Sequence, residues 1–246
     1  MSAAYYAAYE ERYRKVYEAG GEFWGSLPED ASLRAELGAW VNANRLQGKR
    51  VMEFACGEGG SGVILCEAGC RYQGGDLAPS AVEKATKRVE AWKDARVRVM
   101  DMVREPLEEN SLDAALDVAG LHMLITDSHR ADYLENVFHA LKPGAPALFC
   151  RESYREDSYE GPVETLEAWA KRMDLDLTTP QKRPIGPEGK MVEIPLLAAR
   201  TKNMEGYRQE MEKAGFVVDA IIPVGGTPQI VYSVSVYVHK PDGEAK

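Results

Sequence analysis

A run of ten residues from Val51 to Gly60, Val-Met-Glu-Phe-Ala-Cys-Gly-Glu-Gly-Gly, constrains the fold more than any other part of the chain. It begins as an apolar strand that carries an acid, Glu53, and passes through a glycine-rich turn into a helix. A second predicted strand ends at Gly75-Asp76. An α/β sheet holds a nucleoside in this way, because the backbone comes close at the glycines and a carboxylate accepts from the ribose hydroxyls.

Strands and helices alternate regularly between residues 50 and 150, which is typical of a doubly wound, mostly parallel sheet with helices on both faces. The predicted strands are 51–55, 71–75, 96–100, 112–118 and 145–150, and the helices between them are 60–69, 79–93 and 128–141. Helices 3–19 and 29–47 precede this core. After it we expect a helix near 163–173, an extended stretch near 190–198, helix 204–214 and strands 216–224 and 230–239.

Composition excludes several classes of partner. The chain has 246 residues, 39 acids and 30 bases, for a net charge of -9, so its surface repels a phosphate backbone and we expect no nucleic-acid partner. The sequence offers no apolar run of membrane-spanning length, and we expect no membrane partner. A monomer or a homodimer would both suit it.

Four cysteines, Cys56, Cys66, Cys70 and Cys150, form neither a disulfide framework nor a usual zinc pattern. Cys66 and Cys70 are one helical turn apart and could hold a metal. We favour the plainer interpretation, in which they are small apolar residues facing the sheet. The chain is therefore expected to work in a reducing cytoplasm without a metal.

Acids and glycines at three strand ends carry a family resemblance. Glu53 is followed at alternating positions by Ala55, Gly57 and Gly59, while Asp76 and Asp101 end the second and third strands. This set resembles the class I S-adenosylmethionine-dependent methyltransferases of the small-molecule type, although Ala55 stands where the first glycine is common. The resemblance implies a seven-stranded Rossmann-like methyltransferase fold with its last strand antiparallel. It also implies S-adenosylmethionine as cofactor and S-adenosylhomocysteine as product.

The same resemblance assigns the cofactor contacts. Asp76 would take the ribose hydroxyls, Asp101 the adenine amine, and Met102 would lie beside the adenine ring. The remaining predicted cofactor residues come from the same strand ends and from the end of the fourth strand: Glu53, Ala55, Cys56, Gly57, Gly59, Leu77, Val118 and Ala119. A nicotinamide-dependent Rossmann oxidoreductase is the main alternative, but it would prefer a full Gly-x-Gly-x-x-Gly turn without Glu53, whose charge repels a pyrophosphate.

Two candidate catalytic residues follow the fourth strand, which in this family faces the sulfonium and the substrate. Asp117 could hold a substrate ammonium or accept a proton, or it could merely cap the next turn. His122 could act as a general base near neutral pH, or it could be a satisfied packing residue. We predict both as catalytic residues and leave both alternatives open. His129, His139 and His239 are interpreted as structural or surface residues.

Tyrosines recur every fourth residue near the start of the chain. Tyr5, Tyr9, Tyr13 and Tyr17 share one helix face, and Trp24 follows. Such a stripe is often packing, yet tyrosine can bury its ring, present a hydroxyl and face a cation. An N-terminal helix laid over the active site is also a common lid in the family. We therefore predict that these five aromatic residues bind substrate.

The expected reaction is direct transfer of a methyl group from S-adenosylmethionine to nitrogen, oxygen or sulfur of a small metabolite, with proximity and orientation as the main contribution of the protein. The family's Asn-Pro-Pro-Tyr sequence for amino groups of nucleobases is absent. A protein that binds the cofactor without turnover remains an alternative. Within a single domain, residues 1–48 would form a helical cap, 50–150 the cofactor core, 151–203 an insertion over the substrate, and 204–246 the closing helix and strands.

Overall fold

A computed structural model describes residues 5–25, 27–185, 189–225 and 232–243. Within them the strands are β1 (Arg50–Phe54), β2 (Arg71–Asp76), β3 (Arg96–Val99), β4 (Ala114–Val118), β5 (Pro146–Ser153), β6 (Gln181–Ile185), β7 (Lys190–Ile194), β8 (Val217–Val224) and β9 (Ser233–His239). The helices are α1 (Tyr9–Glu18), α2 (Ala31–Ala43), α3 (Gly60–Glu67), α4 (Pro79–Val89), α5 (Asp127–Ala140), α6 (Leu166–Arg172) and α7 (Met204–Lys213). Two 3-10 turns cover Tyr5–Ala8 and Leu121–Met123.

The main sheet of the described residues has seven strands in the order β3-β2-β1-β4-β5-β9-β8. β1 pairs in parallel with β2 on one side and with β4 on the other. The strand order therefore reverses between β1 and β4, and ligands of open α/β sheets bind outside the carboxyl ends of the strands at such a point. Phe54 lies beside Asp117 in this register. The crevice is thus formed by the glycine-rich turn after β1 and the loop after β4.

The last strand is antiparallel to both of its neighbours, β5 and β8. This confirms the predicted Rossmann-like methyltransferase fold. Its alternating valines, Val234, Val236 and Val238, are all buried, as the predicted two-residue period requires. Residues 3–4 of the first predicted helix and residues 230–231 of the last predicted strand lie outside the described part of the chain.

Helices cover both faces of the sheet, because neighbouring residues of β1 point to opposite sides. Val51 packs in a core with α2 and α3, through residues such as Leu37 and Leu65. Met52 and Phe54 pack in a second core with residues from α5 and α7. No helix among the described residues is long and apolar enough to cross a membrane.

Element boundaries differ from the prediction mainly outside the alternating core. The first predicted helix begins with a 3-10 turn, and α2 begins after Asp30, whose side chain accepts from the amides of Ser32 and Leu33 at 3.0 Å. The sequence indicated one extended stretch near 190–198, whereas β6 and β7 form a separate antiparallel hairpin. Pro184 within β6 removes a backbone donor and weakened the strand pattern in the sequence.

Candidate active site

The turn after β1 adopts left-handed backbone conformations at alternating positions. Ala55, Gly57 and Gly59 have φ values of 51°, 49° and 78°. Two of these positions are glycine, which adopts this conformation without a steric penalty, whereas Ala55 carries a cost of roughly 1–2 kcal/mol. A Cβ on Gly59 would lie 3.0 Å from the Cα of Ala85, so this glycine also lets α4 pack closely. The spacing seen in the sequence is therefore a backbone requirement of the turn.

Asp76 joins the end of β2 to this turn. One carboxylate oxygen accepts from the amide of Gly57 and the other from the amide of Ala78, both at 2.8 Å. The side chain is buried, and burial raises the pKa of its carboxyl. Each oxygen can accept a second hydrogen bond, so the carboxylate keeps capacity for a ligand hydroxyl.

Glu53 is bound on both oxygens by donors of the chain itself. The Tyr72 hydroxyl donates to Oε2 at 2.6 Å, and the Ser61 hydroxyl donates to Oε1. The side chain is 1% exposed, and burial, reinforced by the charge of Asp76, raises its pKa to about 7. These contacts tie β1 to α3 and β2, while a direct contact of Glu53 with the cofactor stays a prediction.

This raised pKa predicts how stability changes with pH. The carboxyl of Glu53 has an ordinary pKa of 4.5 and a folded pKa of about 7, so its contribution to stability is full below pH 4.5 and is lost as pH rises through 7. The loss amounts to roughly 3 kcal/mol. In Glu53→Gln this contribution is absent. We therefore expect the free energy of unfolding of the parent, measured relative to that of Glu53→Gln by urea titration, to fall between pH 4.5 and 8. Parallel pH curves for the two proteins would contradict this.

The loop after β3 places Asp101 at the same edge of the sheet. Its Oδ1 accepts from the amide of Val103 at 3.0 Å, and the Tyr6 hydroxyl lies 3.3 Å from both carboxylate oxygens. The Asn136 side chain on α5 donates to the carbonyls of Met102 and Val103 at 3.0 Å. Asp101 and Met102, the residues predicted to contact adenine, therefore lie in a loop that is held by the Asn136 side chain of α5.

Asp117 at the end of β4 faces the interior. Its Oδ1 accepts from the amide of Gly120 and its Oδ2 from the Tyr133 hydroxyl, both at 2.6 Å, and the side chain is 1% exposed. Burial and the neighbouring charge of Glu152 raise the pKa of its carboxyl well above the ordinary range. These contacts favour the alternative interpretation, in which Asp117 caps the following turn. The side chain is buried, so the catalytic role of Asp117 stays a prediction.

His122 lies in the 3-10 turn after β4 and is 1% exposed. Its Nδ1 is 2.8 Å from Oε2 of Glu152, which also accepts from the His122 amide at 2.8 Å. Glu152 is fully buried, and its other oxygen, Oε1, has no donor among the described residues. Glu152 was not predicted from the sequence, although it is an acid near the carboxyl end of β5, the same signal that identified Asp76.

The remaining residues predicted at these strand ends lie near the crevice. Ala119 has a φ of 61° and donates its amide to the carbonyl of Cys150 at 2.9 Å. Val118 pairs with Cys150 in the register of β4 and β5. Cys56 is buried and donates its amide to the carbonyl of Gly75 at 3.0 Å, and Leu77 packs against the core on the α5 side.

A segment that we call the tyrosine cap, residues 5–25, lies over these strand ends. The Tyr5 hydroxyl accepts from the Ile125 amide at 2.6 Å, and the Tyr9 hydroxyl contacts the sulfur of Met123. The Tyr13 hydroxyl lies beside Gly57, since a Cβ on this glycine would be 2.9 Å from it. The predicted stripe therefore runs from the loop after β4 to the glycine-rich turn. Tyr6, which it did not include, contacts Asp101.

Two carboxylates that were not predicted as site residues attach the tyrosine cap to the core. Glu58 is 2% exposed and accepts from the Tyr17 hydroxyl at 2.7 Å, from the Trp24 amide at 2.9 Å and from the Gly25 amide at 2.7 Å. Glu10 accepts from the amide and hydroxyl of Ser80 at 3.1 and 2.6 Å. Ala78 cannot cap α4 with its side chain, so Glu10 supplies this function from α1.

Comparisons with known proteins agree with this geometry. A family model described as "Methyltransferase domain" matches residues 51–144, the part from β1 to the turn after α5. Among curated protein sequences, none matches the chain.

Three solved structures illustrate the shared fold. A 1,6-didemethyltoxoflavin N1-methyltransferase from Burkholderia thailandensis, solved with S-adenosylhomocysteine, is 16% identical with a TM-score of 0.64, over 98% of this chain and 92% of that chain. A S-adenosylmethionine-dependent methyltransferase from Methanosarcina mazei is 17% identical with a TM-score of 0.61, over 82% and 98%. The magnesium protoporphyrin IX methyltransferase of Synechocystis PCC 6803, also solved with S-adenosylhomocysteine, is 14% identical with a TM-score of 0.59, over 93% and 94%.

At these identities the solved structures establish the fold, and the family match establishes the domain. The matched residues include the glycine-rich turn, Asp76, Asp101 and the end of β4. A nicotinamide-dependent oxidoreductase is not supported by any of these findings. The chain therefore contains a methyltransferase domain with the fold of S-adenosylmethionine-dependent methyltransferases, which supports S-adenosylmethionine as its cofactor.

Proposed function

We propose that this enzyme transfers a methyl group from S-adenosylmethionine to nitrogen, oxygen or sulfur of a small molecule held beneath the tyrosine cap. The observation that carries this proposal is the hydrogen bond from the Gly57 amide to Asp76, at the turn that the Tyr13 hydroxyl approaches. A carboxylate, a close-approach backbone and an aromatic lid then meet at one strand end. This combination suits a nucleoside with a cationic sulfonium.

The cofactor would follow the carboxyl edge of β1, β2 and β3. Asp76 would accept from the ribose hydroxyls through its free lone pairs, and Asp101 would accept from the adenine amine. In the described structure the Tyr6 hydroxyl lies 3.3 Å from Asp101, so adenine binding would exchange or rearrange this contact. Met102 would pack beside the ring, because its side chain is apolar and adaptable.

The acceptor would lie between the tyrosine cap and the loop after β4. Tyr9 and Tyr13 bracket this space, since one contacts Met123 and the other approaches Gly57. Tyr5 and Tyr17 serve mainly as attachments, because their hydroxyls bond Ile125 and Glu58. The two solved relatives named with toxoflavin and porphyrin substrates act on small molecules, which favours the same class of acceptor here.

The chemistry asked of the protein is modest. In-line attack on the methyl carbon requires a nucleophile held close to the sulfonium, with proximity and orientation as the main contributions. The leaving group is the neutral thioether of S-adenosylhomocysteine, so the protein needs no acid to protonate it. A base is required only where the acceptor carries a proton that must leave, and His122 with Glu152 is the pair that would take it.

Replacing Asp76 tests the cofactor assignment. Asp76→Ala removes the acceptor for the ribose hydroxyls, and we expect a loss of roughly 1–3 kcal/mol in binding free energy for S-adenosylhomocysteine, measured by calorimetry. Asp113→Ala is the matched control, because Asp113 also accepts from a backbone amide, that of Arg50 at 2.8 Å, but at the amino end of β4. Equal affinity of the parent and Asp76→Ala would reject the assignment. Binding without formation of S-adenosylhomocysteine from S-adenosylmethionine and a metabolite pool would instead indicate a cofactor-binding protein without turnover.

A further inference from the structure

Five basic side chains of the described residues are buried, and each of four among them forms its own ion pair with a carboxylate. The buried bases are Arg12, Arg130, Arg151, Arg200 and Lys202, with exposures of 8%, 1%, 6%, 1% and 7%. The pairs are Arg130 with Glu210 at 2.6 Å, Arg151 with Asp30 at 2.6 Å, Arg200 with Asp127 at 2.6 Å and Lys202 with Glu160 at 2.9 Å. Arg12 has no carboxylate partner among the described residues.

The contacts of Arg12 leave part of its guanidinium unsatisfied. Nη2 donates to the carbonyl of Pro195 at 3.0 Å, but Nε is buried and has no acceptor among the described residues. The guanidinium carbon lies 5.3 Å from the ring centre of Tyr9 and 5.4 Å from that of Trp24. Aromatic faces attract the cation but accept no strong hydrogen bond from Nε. A buried charge without a counter-charge is unfavourable, and burial accordingly lowers the pKa of Arg12.

The position of Arg12 connects this unpaired charge with the site. It lies on α1 next to Tyr13, which approaches Gly57, and one turn after Tyr9, which contacts Met123. Pro195 belongs to the segment between β7 and α7, so Arg12 lies where the tyrosine cap meets the insertion. Arg12 thus lies between the side chains that border the cofactor turn and the loop after β4.

We propose that Arg12 binds an oxyanion of the ligand held beneath the tyrosine cap, and that this anion supplies the counter-charge missing from the free protein. The inference rests on the proposed function, because it assumes that the ligands bind under the cap. Two sources can provide the anion: the carboxylate of the methionine part of the cofactor, or a carboxylate or phosphate of the acceptor. Guanidinium suits both, since its planar donors match two oxygens at once.

The test variant is Arg12→Leu, and Arg14→Leu is its control. Arg14 is on the same helix and is exposed, and the ion pair that it forms with a described residue is with Glu18 at 3.3 Å. Affinities for S-adenosylhomocysteine and for 5′-methylthioadenosine, which lacks the amino-acid part, are measured by calorimetry. Benzoate and its neutral analogue benzamide are then titrated into enzyme saturated with S-adenosylhomocysteine. Thermal unfolding without ligand is measured for each protein.

If the cofactor supplies the anion, Arg12→Leu should bind S-adenosylhomocysteine at least tenfold more weakly and 5′-methylthioadenosine almost as well as the parent. If the acceptor supplies it, the affinity for S-adenosylhomocysteine should be kept while benzoate, but not benzamide, is bound at least tenfold more weakly. In both cases the ligand-free variant should melt no lower than the parent, because an unpaired buried charge has been removed.

Three results would overturn the proposal. The first is an Arg12→Leu variant with unchanged affinities for S-adenosylhomocysteine and benzoate, and the second is a parent that does not bind benzoate together with a variant whose affinity for S-adenosylhomocysteine is unchanged. The third is a variant that fails to fold, which would make Arg12 a structural residue. Failure of the parent enzyme to bind S-adenosylhomocysteine would instead refute the proposed function.

Discussion

Replacing His122 with asparagine is expected to lower the turnover number by about 10²–10⁴-fold, because asparagine cannot take a proton from the acceptor. Glu152 holds Nδ1 of the ring at 2.8 Å and thereby orients Nε2 as the nitrogen available for that proton. The affinity for S-adenosylhomocysteine should stay nearly unchanged.

Two further variants separate a base from a packing residue. Glu152→Gln keeps the side-chain volume but removes the charge beside Nδ1, so it should lower the rate less than His122→Asn does. His139→Asn is the control, because His139 is 56% exposed on α5. The ring of His122 is 1% exposed, so an acceptor reaches it only after the side chains that cover the ring have moved. If His122→Asn melts earlier but keeps its rate per folded molecule, His122 only packs.

Removing the Glu58 side chain is expected to release the tyrosine cap and abolish most of the turnover. Glu58→Ala deletes three hydrogen bonds to a buried carboxylate, from Tyr17, Trp24 and Gly25. Hydrogen bonds to charged groups contribute roughly 1.5–3 kcal/mol each, so the cap should detach from the glycine-rich turn while the sheet stays folded. Hydrogen exchange of residues 5–25 and turnover would be measured together.

Glu67→Ala is the matched control for this experiment. Glu67 lies on α3, the helix that follows the same turn, but it is exposed, and its one ion pair within the described part of the chain is with Arg34. Deletion of residues 1–25 should reproduce the effect of Glu58→Ala, with a folded core that has lost turnover and substrate binding. Full activity of either protein would mean that the tyrosine stripe is packing or dispensable surface.

The core of the fold was predictable because it depends on local patterns. Alternating strands and helices, the glycine-rich turn and acids at strand ends each leave a signal within a few residues. The structure confirms the sheet and the antiparallel β9, and it places Asp76 and Asp101 at the same edge. The β6–β7 hairpin was predicted only as one extended stretch, because proline obscured its strands.

Individual site contacts were less predictable, since they depend on residues far apart in the sequence. No residue near Glu53 in the sequence indicated that the Tyr72 hydroxyl would donate to one of its oxygens. In the same way, no residue near Asp117 indicated the hydrogen bond from Tyr133. Glu58 was visible within the glycine-rich turn, but its partners lie in the tyrosine cap. Arg12 was overlooked beside the tyrosines, because only the structure shows which buried bases have a counter-charge.

The bond between Glu10 and Ser80 makes the tyrosine cap and the first turn of α4 energetically interdependent. Movement of α1 away from the core removes the only side chain among the described residues that accepts from the Ser80 amide in the first turn of α4, four positions after Asp76. Any ligand that orders this turn must therefore favour docking of α1, and docking of α1 must raise the affinity for that ligand by the same factor. The affinity for a ligand of this turn therefore depends on whether the tyrosine cap is docked, even when the ligand does not contact the cap.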